Sequence, residues 1–214
     1  MEITCLVVGM VQTNCYIVSN EERKEAVVID PGDEADNIIK KCEELGVEVK
    51  AILLTHGHFD HVMAVPELKD KWNVPVYAYE KEVGVLLDES YNLSDQFIRE
   101  KVSVKTDMAL KDRTKFEMIG YEFELIATPG HTCGSCCYYV ESEKALFSGD
   151  TLFDGSYGRV DFPGSSSTDM LHSVAEVLLD LPDEVKVYPG HMGYTTIGKE
   201  RKQNPLAPWR GRGL

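Results

Sequence analysis

The chain has 214 residues, 43% of them hydrophobic, enough to bury a substantial core as one domain or an internally duplicated one. Its 36 acidic residues against 22 lysines and arginines give a formal charge of −14, which argues against nucleic acid as a partner. No segment approaches the roughly 20 apolar residues needed to cross a bilayer, and Met1-Glu2-Ile3-Thr4-Cys5 lacks the basic start of a secretion signal, so a cytoplasmic protein with no membrane partner is expected.

Hydrophobic patterning predicts strands near residues 2–8, 14–18 and 25–29, then a helix from Asp33 to Leu45 closed by Gly46 in the left-handed conformation. A strand over 49–54 leads into a histidine-rich run. After it come a helix over 62–72, a strand from Pro75 to Tyr79 and a helix near 80–88. Residues 88–97 are polar and are expected to form a loop beside the substrate. Residues 116–148 read as consecutive strands, followed by a helix over 168–180, a strand over 185–188 and a short terminal helix. In the helix over 168–180, Leu171, Val174, Ala175, Leu178 and Leu179 form the apolar stripe, which leaves His172 on the polar side with Asp169, Ser173, Glu176 and Asp180. Strands in groups with intervening helices predict an α/β fold of two sheets packed face to face with helices outside.

The chemistry is concentrated in Thr55-His56-Gly57-His58-Phe59-Asp60-His61. Neutral imidazole suits zinc, iron and similar ions, and a carboxylate adds a harder oxygen donor and negative charge. His56 and His58 follow the apolar run Ala51 to Leu54 and, two apart in extended chain, share a face. Asp60 and His61 begin a turn into a helix and point toward a second ion. Three further strand-like runs end on a donor: Thr128-Pro129-Gly130-His131, Ser148-Gly149-Asp150 and Tyr188-Pro189-Gly190-His191. A buried sheet would deliver such donors to one edge.

Of the six cysteines, Cys5, Cys15 and Cys42 lie in apolar patterns and read as buried free thiols. The cluster Cys133, Cys136 and Cys137 follows His131 closely, and a thiol beside the metals would add redox sensitivity or alter metal choice.

Taken together, Thr55-His56-x-His58-x-Asp60-His61, Gly130-His131-Thr132, Ser148-Gly149-Asp150 and Gly190-His191 resemble the metallo-β-lactamase-fold superfamily, and within it the glyoxalase II-like metallohydrolases. The likeness runs from Asn14-Cys15-Tyr16 and Asp30-Pro31-Gly32 to Asn204-Pro205, and residues 155–161 resemble the short, single-domain members. The resemblance implies a four-layer αββα sandwich over residues 1–214, with two pseudo-equivalent halves at about 1–115 and 116–214. It implies two divalent ions, zinc first with iron or manganese as alternatives: His56, His58 and His131 on one, Asp60, His61 and His191 on the other, Asp150 between them. Asp30 would fix the tautomer of a ligating histidine. A metal-bound hydroxide would cleave a thioester or related acyl bond of a small molecule, with Asp60 orienting it or moving its proton and with Tyr157 and Arg159 as substrate contacts. Full-length glyoxalase II enzymes hold glutathione with a basic and aromatic helical extension, and residues 1–214 are not expected to supply that pocket. Two rival readings are a mononuclear iron dioxygenase acting on a persulfide, similar in its Gly-Arg-x-Asp stretch, and a non-catalytic metal-binding or redox-sensing module.

Overall fold

In the computed structural model, which describes residues 1–99 and 101–212, the two parts of the chain each build a six-stranded mixed sheet. The first comprises β1 (Glu2–Val8), β2 (Thr13–Asn20), β3 (Glu25–Ile29), β4 (Glu48–Leu53), β5 (Val76–Tyr79) and β6 (Met108–Leu110), neighbours in that order. Pairing is antiparallel from β1 to β3 and parallel from β3 to β6. The second contains β7 (Lys115–Met118), β8 (Tyr121–Ala127), β9 (Cys136–Val140) and β10 (Ala145–Gly149). After a small hairpin, β11 (Leu152–Phe153) with β12 (Ser156–Tyr157), it adds β13 (Lys186–Pro189) and β14 (Thr195–Thr196). Its spatial order is β14-β13-β10-β9-β8-β7, with only β10 and β13 parallel.

Strand side chains point alternately to opposite faces, and here both faces are apolar. Along β2, Cys15 and Ile17 face the outside of the first sheet while Tyr16 and Val18 face the second sheet; β3 divides Ala26 and Val28 from Val27 and Ile29 in the same way. The outward set packs under α1 (Ala35–Leu45) through Ile38 and Cys42. Beyond α2 (Phe59–Val62), Val65 and Leu68 of α3 (Val65–Trp72) and Leu86 of α4 (Val83–Leu87) join it. The inward set meets Phe123, Leu125, Tyr138 and Phe147 of the second sheet. On that sheet's far side, Ile126, Cys137, Tyr139 and Leu146 pack under Met170, Val174 and Leu178. Three apolar seams between four layers make the αββα sandwich. Each fully buried Leu, Ile or Phe contributes about 1.5–3 kcal/mol, so the central seam is the main bond between the sheets.

Several elements differ from expectation. The helix over 62–72 is two, because Pro66 has no N–H to donate and sits in the first turn of α3 instead. α1 begins at Ala35, not Asp33, whose carboxylate accepts from the Glu34 N–H. Residues 88–97 contain α5 (Ser94–Phe97). The helix over 168–180 starts as α6 (Ser167–His172), widens through a π turn over Ser173–Val177 and tightens over Leu178–Asp180. His172 is exposed as expected, but the wide turn rotates Ser173 inward, where its hydroxyl donates to the Pro129 carbonyl at 2.7 Å. The terminal helix is α7 (Ile197–Gln203). β6, β11, β12 and β14 are too short to leave a period in the sequence. Among the described residues, no helix is long and apolar enough to cross a membrane.

Candidate metal centre

Five of the seven donors leave the C-terminal end of a strand: His56 and His58 after β4, His131 after β8, Asp150 after β10 and His191 after β13. α2 carries Asp60 and His61 in its first turn. Both sheets end at one place, where His56, His58 and His131 bring one ligand atom each within 4.8 Å of one another, and Asp60, His61 and His191 do the same. Asp150 lies between the groups, its oxygens 3.4 Å from His61 Nε2, 3.5 Å from His131 Nε2 and 3.4 Å from His191 Nε2.

The surrounding residues fix how these rings face. His61 Nδ1 lies 3.0 Å from Asp30 Oδ2 and His131 Nδ1 lies 2.8 Å from the Arg159 carbonyl. Both partners accept only, so each Nδ1 donates and each ring turns its Nε2 into the cluster. Asp30 is itself held by the N–H and hydroxyl of Thr55, at 2.8 and 2.6 Å, with its backbone in the left-handed region at φ 51°. Asp30 also falls within 4.8 Å of His56 and His61, but its occupied oxygens make it a support. Thr13 Oγ1 donates to Asp60 Oδ2 at 2.9 Å. Gly190 is required by packing: a Cβ there would stand 2.3 Å from Asp150 Oδ1. Gly32 is required likewise, since its Cβ would fall 1.6 Å from the Asp60 carbonyl.

Burial drives the His56 ring well below its usual pKa, and burial with the neighbouring His131 pushes His58 down to about 3. Burial opposes charge on His61 too, yet Asp60, Asp150 and Asp30 outweigh it and hold that ring well above the ordinary value. His191 follows the same balance: burial against, hydrogen bonds to Asp150 and Asp60 in favour, giving about 9. Burial works against the charge of Asp150 and Asp60 as well, and the facing His61 overcomes it, so both carboxyls are lowered. His56 Nε2, His58 Nε2, His61 Nε2 and Asp150 Oδ1 are buried without any hydrogen-bond partner. Orphaned buried polar atoms are costly, and four of them converging with carboxylates are donors matched to a cation. The cluster is therefore able to bind metal ions.

The cluster forms the floor of a cleft of about 630 Å³. Tyr157 and Arg159 line it, but the Arg159 guanidinium is engaged with both oxygens of Asp161, at 2.9 and 2.8 Å, and stacks 4.2 Å over Phe162. Of the segment 88–97, the apolar Leu93 and Phe97 reach the cleft, rather than its polar residues. Sequence reasoning missed Phe59, Phe162 and Met192 on the walls, because single aromatic and methionine residues carry no period. It also missed Glu82, which is 1% exposed and accepts from the Gly57 N–H at 2.7 Å and the Thr132 hydroxyl at 2.9 Å. The three clustered cysteines diverge: Cys136 faces the central seam, Cys137 the outer one and Cys133 the solvent. They form no dithiol pair.

A profile of the metallo-beta-lactamase superfamily matches residues 8–191. A Haemophilus influenzae protein named hydroxyacylglutathione hydrolase GloC is 35% identical, over 96% of this chain and 98% of its own. Two solved structures superpose over nearly the whole length. The BLEG-1 B3 metallo-beta-lactamase does so with a TM-score of 0.91 and 36% identity, covering 96% of this chain and 99% of that one. TTHA1623 in a di-iron-bound form gives 0.85 and 33%, covering 95% and 99%. Profile, identity and superposition agree: this chain belongs to the metallo-beta-lactamase superfamily.

Proposed function

We propose that the protein is a dinuclear metal-dependent hydrolase that cleaves a thioester or related acyl bond of a small molecule. The observation that carries this is Asp150, a buried carboxylate in reach of nitrogens from both donor groups at the floor of an apolar cleft. His56, His58 and His131 would hold one ion, Asp60, His61 and His191 the other, and Asp150 both; the donor set suits zinc first and accepts iron or manganese. Bound divalent ions supply Lewis-acid stabilisation of developing negative charge and lower the pKa of water to about 7.

The chain's own residues do the rest. Asp60, fixed by Thr13 and kept ionised, takes a proton from the water that adds to the carbonyl; the C–S bond then breaks and the thiolate leaves with that proton. Asp30 holds the His61 tautomer through the reaction. Phe162, whose ring centroid lies 5.5 Å from that of His58, keeps bulk water from the floor of the cleft. Tyr157 contacts the acyl group, and the cationic Arg159 at the rim contacts it once released from Asp161. The relative named as a hydroxyacylglutathione hydrolase supports a thioester as the scissile group. The acidic charge supports a small-molecule substrate over a nucleic acid.

The test is elemental analysis of metal per chain together with hydrolysis of S-lactoylglutathione, before and after His58→Ala. About two ions per chain, with hydrolysis lost in the variant, is the expected result. One iron per chain, no hydrolysis and oxygen consumption with glutathione persulfide would overturn it.

A further inference from the structure

We propose that the cleft selects thioesters by an apolar, aryl-bearing arm and not by the charged glutathione moiety. This rests on the hydrolytic reading above and narrows its substrate class. The physical basis is the wall that runs from the rim to the donor cluster. Phe59 and Phe97 stack with ring centroids 5.8 Å apart and planes 15° from parallel. Phe97 meets Phe162 edge to face at 6.4 Å, and Phe162 meets the His58 and His131 rings at 5.5 and 6.1 Å. A continuous aromatic surface therefore leads to the reacting end. Across the opening, Val11 and Met192 complete the lining.

Three of these wall residues remain open to water: Phe97 is 53% exposed, Met192 64% and Val11 44%. Exposed apolar side chains gathered on one rim mark a binding surface. Because the surface continues downward into the cleft, its occupant is the substrate's own arm, not a protein partner. An aryl group gains both burial and edge or face contact there.

Charge points the same way. Glutathione presents two carboxylates, which call for free cations of the bidentate kind. Among the described residues lining the cleft, Arg159 is the one lysine or arginine, too few for two carboxylates, and Asp161 competes for its fork. The overall charge of −14 opposes the approach of further anions.

The experiment uses the metal-loaded full chain and two lactoyl thioesters, of 2-phenylethanethiol and of glutathione, the more acidic glutathione thiol being the better leaving group, so that intrinsic reactivity works against the expected order. We expect kcat/KM at least tenfold higher for the phenyl arm, and Phe97→Ala to bring the ratio of the two close to one. Equal or better turnover of the glutathione ester, or a ratio unmoved by Phe97→Ala, would overturn the proposal. Binding of the matching thioethers, in which a methylene replaces the carbonyl, is measured in parallel by calorimetry. If neither ester is cleaved but the phenyl thioether binds tenfold tighter and loses that margin in Phe97→Ala, the hydrolytic reading fails and the arm assignment stands. If the thioethers bind alike, the arm assignment fails whatever the turnover.

Discussion

Glu82 accepts a hydrogen bond from the hydroxyl of Thr132, 50 residues away, through Oε2 at 2.9 Å, while its other oxygen accepts from the Gly57 N–H. One buried carboxyl thus ties the loop of His56 and His58 to the loop of His131. Burial pushes this carboxyl up to about 8, against the donors that pull it down. Glu82→Ala removes an acceptor from buried donors, each orphan costing about 1–3 kcal/mol. We expect the variant to lose about 2–4 kcal/mol in denaturant unfolding and to bind metal more weakly, with Glu82→Gln falling between it and the parent. Unchanged stability and metal affinity in Glu82→Ala would refute the clasp.

In metal-stripped protein the His191 pair sets a pH dependence. Its folded pKa is raised to about 9, above an unfolded value of about 6.5. The stability it contributes is complete below about pH 6.5 and is lost as pH rises through 9. Thermal unfolding of the stripped protein should therefore fall between those limits. The loaded protein should not show this fall, since a ligating ring is already neutral, its metal-facing nitrogen being unprotonated.

Gly190→Ala would drive a methyl to 2.3 Å from Asp150 Oδ1 and 2.6 Å from His61 Cε1. Neither neighbour can give way without leaving its donor position. We expect metal content to drop below one ion per chain and hydrolysis to fall at least about a hundredfold, a loss of about 2.7 kcal/mol in transition-state stabilisation, while circular dichroism still reports the parent fold.

Thiol alkylation should separate the cysteines by position. Cys133 is exposed, Cys5 half-buried and the other four buried, so native protein should label at Cys133 first and at Cys15, Cys42, Cys136 and Cys137 only on unfolding. Burial raises the Cys133 thiol above its usual range, so labelling should be slow near pH 7 and quicken as pH rises. Cys133→Ser should leave hydrolysis within about twofold, and a large loss would restore a role beside the metals.

Local patterns carried most of what the sequence disclosed. A run such as Val185 to Tyr188 ending in Pro-Gly-His announces both a strand and a donor at its exit, and Gly46 announces a helix end by its left-handed conformation, observed at φ 64°. The seven donors the pattern singled out are brought together in the structure. Glu82 was invisible because it sits in Glu80-Lys81-Glu82, a stretch that reads as solvated surface; only contacts with residues 57 and 132 draw it inward. Phe162 was invisible for the same reason, since its partners Phe97, His58 and His131 lie far along the chain. Pro66 suits a helix's first turn, but the apolar period around it carried the expected helix across residues 62–72. The π turn at 173–177 had no local sign.

The cradle also keeps time. His56, His58, Asp60 and His61 lie within six residues and one loop can gather them, but His131, Asp150 and His191 arrive from three strands of the other sheet. Four of the seven donors need only local chain; the full set exists only once both sheets have formed and their inner faces have met. Metal ions held by the full set would draw on both sheets, so their capture would report that assembly has finished.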